Sequence, residues 1–249
     1  MEDTCSLCGG RGLLLRGEVA VPCGCTRKAG GFLRLPPRLS NCRFEDFHLG
    51  YYSKDLRDQD RGLTYHELAR LALEAAREFC RDFGAQGDGL LLMGSVGSGK
   101  TLLAGAIANA LLARGIGVSF VVVPEWLDLL RESYSVPREW RQGSHDLWET
   151  AREAPLLILD DLGAHNYTEW TLNSLYSVIN YRFNHLLPLL VTTNLGAQDW
   201  RDRLGERTTS RLIQMCRACQ LLVETDIRVV LRARREAERK KIRREGVQG

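Results

Sequence analysis

Between residues 64 and 223 the chain alternates short apolar runs with longer stretches in which apolar residues recur every three or four positions. The runs are Gly89–Met93, Gly117–Val123, Leu156–Asp161, Pro188–Asn194 and Cys219–Val223. Unbroken runs of this length predict strands buried on both faces, and the three-to-four spacing predicts helices with one apolar side. In Thr64–Phe83 one helical face carries Leu68, Leu71, Ala72, Ala75, Ala76 and Phe79. Leu102–Ala113 reads as a second helix. A third opens at Pro124-Glu125 and carries Trp126, Leu127, Leu129 and Leu130. Residues 134–143, with Pro137 and Gly143, read as a surface loop. A short helix from Asp146 to Glu153 follows, stopped by Pro155. Thr168–His185 is a longer one with Trp170, Leu172, Leu175, Ile179 and Phe183 at core-like intervals. Five strands alternating with helices predict an α/β fold, a five-stranded parallel sheet flanked by helices.

The polar positions stand at the ends of these runs. Gly94-Ser95-Val96-Gly97-Ser98-Gly99-Lys100-Thr101 follows the first strand and opens a helix. It fits G-x-x-x-x-G-K-[ST] at every fixed position, and strand, loop and helix is the context that motif needs. Glycines let successive backbone N–H groups point inward, and the helix N-terminus adds partial positive charge. The implied ligand is ATP or its product ADP: Lys100 would reach the β- and γ-phosphates of the triphosphate, and the Thr101 hydroxyl would ligate Mg²⁺. The third strand ends in Asp160 and Asp161, a Walker B element. Its first carboxylate would join Thr101 at Mg²⁺, and the second would polarise an attacking water. Thr192-Thr193-Asn194 ends the fourth strand, with Asn194 either a γ-phosphate sensor or a turn residue. Further on, Arg207 and Arg211 share a helix face, two solvated arginines or a pair awaiting a phosphate on a neighbouring subunit.

Charge and cysteine placement add two features outside this module. Residues 1–43 hold seven Lys/Arg against three acids, residues 44–227 eighteen against twenty-five, and residues 228–249 nine against three. The basic charge lies at the ends, which suits nucleic acid or an acidic partner. Cys5-x-x-Cys8 and Cys23-x-Cys25 bracket Leu13-Leu14-Leu15 and Val19-Ala20-Val21, two short strands. Four thiolates so spaced predict a small structural Zn²⁺ domain, with free thiols as the alternative. Residues 26–43, with Gly30-Gly31 and Pro36-Pro37, read as a linker. Cys216 and Cys219, lacking a second pair, read as buried thiols. The segment Arg232–Arg244 permits a helix, either solvated or facing DNA phosphates. The N-terminus has no basic and apolar leader, and no apolar run spans a membrane, so the expected location is cytoplasmic.

The order of phosphate loop, Leu-Asp-Asp, Thr-Thr-Asn and Glu-Arg-x-x-Ser-Arg resembles the AAA+ ATPases of the bacterial replicative-helicase loader family, the DnaC type. The IstB-type transposition ATPases are similar. The resemblance covers about residues 43–230, leaving a zinc domain and linker at 1–42 and a basic tail at 231–249. It implies that Arg43-Phe44-Glu45-Asp46-Phe47 is an N-linker, with Phe44 and Phe47 beside the adenine. It also implies that Arg211 is an arginine finger acting in trans with Arg207 close by, and that Arg228 is the sensor-2 arginine. Asp161 stands where many relatives have Glu. The implied activity is ATP hydrolysis. The implied partners are a hexameric replicative helicase, single-stranded DNA and further copies of the chain. Loaders often carry N-terminal zinc domains, so the cysteines favour a loader over a transposition accessory. A non-hydrolysing adaptor, shaped by nucleotide and zinc, is the remaining alternative.

Overall fold

The computed structural model describes residues 13–16, 19–22, 35–84, 88–135, 142–164, 167–196 and 198–245. Strands β1 (Leu13–Arg16) and β2 (Val19–Pro22) form an antiparallel pair, Leu13 opposite Pro22, as the apolar triplets predict. Cys5, Cys8, Cys23 and Cys25 lie outside the described residues.

The main sheet contains β3 (Gly89–Gly94), β4 (Val118–Val122), β5 (Leu156–Leu162), β6 (Leu189–Thr193) and β7 (Cys216–Leu221). All neighbours run parallel, in the order β4-β5-β6-β3-β7. Alternate residues serve two cores. Leu90, Leu92, Phe120, Ile158 and Leu190 face α1 (Tyr65–Arg81) and α2 (Lys100–Leu112). Leu91, Val121, Leu157, Leu159 and Val191 face the opposite layer, with α3 (Val123–Ser135), α4 (Gln142–Glu153), α5 (Glu169–Asn184) and α7 (Glu206–Met215). With both faces covered, the ends of the strands are where the sheet can carry chemistry.

Capping sets where the helices begin. The Thr64 hydroxyl accepts the Glu67 N–H at 3.1 Å, and Glu67 accepts the Thr64 N–H at 2.7 Å. At α5 the Thr168 hydroxyl accepts the Thr171 N–H, a one-way cap. The predicted linker is not loose over its last residues. Leu39 is buried in the core, and the Asn109 side chain donates to the carbonyls of Leu39 and Cys42.

Three boundaries differ from expectation. The last strand is Cys216–Leu221 rather than residues 219–223. It is an edge strand paired only with β3, so Arg217 and Ala218 stay exposed and break the apolar run used to place it. Helix α4 starts at Gln142, inside the expected loop. The basic tail continues α8 (Ile227–Glu245) without a break. A five-residue helix, α6 (Trp200–Leu204), precedes α7. Among the described residues, no helix is long and apolar enough to cross a membrane.

Arg182 of α5 is fully buried. Its guanidinium donates to the carbonyls of Ala151, Arg152 and Ala154, at the end of α4, and to Pro188 before β6 at 2.6 Å. These carbonyls would otherwise be orphans of a helix end and a loop. Burial draws its pKa down to about 9. An aliphatic replacement leaves several buried acceptors unpaired. Arg182→Leu is expected to cost on the order of 3 kcal/mol of stability, read as a lower urea midpoint with an unchanged slope.

Candidate functional site

The loop at Gly94–Thr101 is shaped by backbone that only glycine adopts easily. Gly97 has φ +70°, and a Cβ there would collide with the Asp226 carboxylate. Gly94 has φ +135°, with the Leu221 carbonyl where a side chain would begin. Inside the loop the Lys100 amine donates to the carbonyls of Gly94 at 3.0 Å and Ser95 at 2.7 Å, and to the Ser98 hydroxyl at 3.4 Å. Lys100 is 6% exposed. The loop thus holds a buried cation at the N-terminus of a 13-residue helix, the arrangement that binds a phosphate chain.

The sheet order brings Walker B to the loop. Strand β6 lies between β3 and β5, and its Thr192 is the bridge. The Thr192 hydroxyl donates to Asp160 Oδ1 at 2.6 Å and accepts the Asp161 N–H at 2.9 Å. Thr101, 59 residues before Asp160, donates to the same Oδ1 at 2.9 Å. A hydroxyl and a carboxylate in contact are the oxygen donors that Mg²⁺ takes, so Thr101 and Asp160 fit that ion. Burial raises the pKa of Asp160, opposed by the hydroxyls of Thr192 and Thr101. Asp161 occupies left-handed backbone, φ +61°, where the β5–β6 register shifts between Leu159 and Leu162. The irregularity keeps successive carboxylates at one site instead of on opposite faces. Asn194 donates to Asp161 Oδ1 at 2.9 Å, so it orients the second carboxylate.

The segment after β7 closes over the loop. Ser95 N–H donates to the Leu221 carbonyl at 3.1 Å, and Ile227 N–H to the Gly97 carbonyl at 3.2 Å. Arg228 is paired with Asp226, 2.7 Å from guanidinium to carboxylate, beside Gly97. Arg228 thus stands next to the phosphate loop through Asp226. Asp226 was not singled out in the sequence, where it is one acid in a turn.

Other expected residues divide. Phe47 is buried, with its ring edge against Gly99. Phe44 packs on the same core, with the Arg77 guanidinium 5.8 Å from its ring centre. Tyr52, missed in the sequence, lies 5.4 Å ring to ring from Phe47 and donates its hydroxyl to the Ser98 carbonyl at 2.7 Å. Arg211 is drawn toward α5. It donates to Asn180 Oδ1 at 3.2 Å and lies 4.1 Å over the Phe183 ring. Arg207 is exposed, with no hydrogen bond or ion pair among the described residues. Cys219 is buried, and burial pushes the Cys216 thiol up to about 12, which fits packed thiols. Among the described residues no His, Cys, Asp and Glu cluster of three could hold a metal.

This geometry agrees with three comparisons. A family model described as "IstB-like ATP binding protein" matches residues 59–235. The replicative helicase loader DnaC of Escherichia coli is 25% identical over 141 residues, which is 57% of this chain and 56% of that protein. The Bacillus subtilis loader DnaI is 29% identical over 147 residues, 55% of this chain and 46% of DnaI. The chain thus spans about half the length of these relatives. The solved structure of the DnaC helicase loader superposes with a TM-score of 0.60 at 26% identity, over 76% of this chain and 100% of that one. The five-stranded parallel sheet with its phosphate loop is an AAA+ P-loop fold.

Burial lowers the Lys100 pKa from 10.5 to about 8, with Asp161 and Asp160 opposing it in part. Below that value the amine is charged with or without ligand. Between pH 8 and 10.5 the empty loop holds mostly neutral amine, which a bound phosphate re-protonates. Nucleotide affinity is therefore expected to fall as pH rises through this window, with proton uptake on binding. Calorimetry at about pH 9 in buffers of different ionisation enthalpy should register uptake of about one proton per site. Affinity independent of pH over that range would contradict a buried amine.

Proposed function

Because this chain belongs to the family of IstB-like ATP binding proteins, we propose that it is an ATPase that places a hexameric replicative helicase on single-stranded DNA. The observation that carries the enzymatic half is the hydroxyl chain from Thr101 and Thr192 to Asp160, beside the buried Lys100. The helicase half rests on relatives that are themselves named helicase loaders.

In this reading the loop N–H groups and Lys100 bind the β- and γ-phosphates, while Thr101 and Asp160 hold Mg²⁺. Bound Mg²⁺ supplies neutralisation of the phosphate charge. Asp161, oriented by Asn194 and by its own left-handed backbone, aligns and polarises the attacking water. Arg228 leaves Asp226 for the γ-phosphate. One chain then still lacks a cation for charge developing in the transition state, and Arg211 of an adjacent copy supplies it, with Arg207 beside it. Phe44 and Phe47 form the wall near the base.

The cysteines complete the proposal. Strands β1 and β2 hold Leu13 opposite Pro22. That pairing supports a knuckle in which Cys5, Cys8, Cys23 and Cys25 bind one Zn²⁺ and shape a helicase contact. Elemental analysis is expected to find about one zinc per chain. Zinc retained after substitution of both Cys5 and Cys8 would refute this ligand set.

The whole reading is tested with purified components. The chain is expected to bind a hexameric replicative helicase and to turn over ATP with single-stranded DNA present. Binding a transposase instead would move it to the transposition accessories, and absence of turnover would make it an adaptor. Arg211→Ala is expected to keep ATP binding and lose about 10³-fold in turnover. Mixing it with Lys100→Ala should restore part of the activity, because each variant keeps the half the other lacks. Co-assembly without recovery would exclude a trans role for Arg211.

A further inference from the structure

Helix α8 runs unbroken from Ile227 to Glu245 and begins on the phosphate loop, through the Ile227 N–H bond to Gly97 and the Asp226–Arg228 pair. The sequence along it is not randomly basic. Arginine stands at 228, 232, 235, 239 and 243. Steps of four, three, four and four keep these positions in one line along a helix. At 1.5 Å per residue the line is about 22 Å long. Residues 232–238 are exposed throughout. The Arg232 pair with Glu236, 83% and 56% exposed, is too solvated to hold that arginine in place. Arg234 stands off the line and fastens the helix to the body, 5.2 Å over the Tyr51 ring. Beside Tyr51 lies the exposed His48 ring, 6.1 Å away edge to face.

We infer that this arginine line is a track for the sugar-phosphate backbone of a single nucleic-acid strand, starting at the nucleotide site and running outward along α8. Each element of the arrangement has a role in such a track. A polyanion needs cations repeated along its length, and the line supplies one about every helical turn, the Arg232 pair being solvated enough to exchange for phosphate. A ridge one side chain wide follows one backbone, whereas a duplex presents two. Arg234, on the side of the helix away from the line, anchors α8 against the Tyr51 ring, which leaves Arg232 and Arg235 exposed to a strand. The inference rests on the helicase-loading reading for the kind of strand, and on α8 alone for the place.

The test uses the full-length protein and a fluorescein-labelled oligothymidylate of about 20 nucleotides, with anisotropy measured across a salt series. The comparison is a fourfold variant, Arg232→Gln, Arg235→Gln, Arg239→Gln and Arg243→Gln. It spares Arg228, and glutamine preserves helix propensity, which circular dichroism verifies. Each phosphate contact contributes about 0.7 to the slope of log affinity against log salt for single strands. The variant is expected to lose about 3 from that slope and to bind the strand far more weakly, with ATP binding unchanged. A variant with the wild-type slope and affinity would overturn the track while leaving the loader reading intact, and would assign the line to an acidic protein surface. Wild-type protein that binds no single strand would overturn the track together with the DNA half of that reading.

Discussion

The site is built around one buried ammonium. A cation taken out of water is tolerated only where oxygen atoms replace its hydration, and here the Gly94 and Ser95 carbonyls and the Ser98 hydroxyl do so. That requirement explains why the loop is glycine-rich and why its glycines take positive φ. It also explains why Asp226 can press on Gly97 without touching a side chain. The carboxylates of Asp161 and Asp160 favour the charged amine but do not offset its burial, so Lys100 rests below its ordinary pKa. A phosphate chain is the ligand that resolves the imbalance.

Topology supplies the rest. With β6 between β3 and β5, one threonine on the middle strand reaches Asp160 with its hydroxyl and the Asp161 backbone with the same oxygen. Substituting Thr192 would therefore disturb both carboxylates at once. The chain ends report on the same place. Tyr52, next to Tyr51, bonds the Ser98 carbonyl, while Tyr51 lies under Arg234 of α8, and α8 itself starts on Gly97. The loop is thus in direct contact with Tyr52 and with the start of the basic helix, beside the two surfaces proposed to meet base and strand.

Much of this was legible in the sequence, for identifiable reasons. Strands buried on both faces give continuous apolar runs, so β3 to β6 were placed within two residues. The loop and the acidic pair lie at strand ends, where composition changes abruptly. What escaped depends on contacts distant in sequence. The register of β7 was misplaced because an edge strand needs only Cys219 and Leu221 buried, and its exposed Arg217 looks like a turn. The role of Thr192 needs the strand order, and the left-handed Asp161 needs the register shift between β5 and β6. Asp226 and Tyr52 act through tertiary contacts with the loop, and an acid or a tyrosine in a polar stretch carries no sign of that. Arg182 reads as an ordinary polar position on a helix, yet its burial holds three segments together.

The claim on which the account stands is that Gly94–Thr101 binds a nucleoside triphosphate through Lys100. Calorimetric titration of wild-type protein and Lys100→Ala with Mg²⁺-ATP addresses it directly, with circular dichroism establishing that both are folded. The account predicts one saturable site in the wild type and loss of measurable binding in the variant, since the variant removes the cation that the loop is shaped to hold. Equal affinity in the two proteins would contradict it.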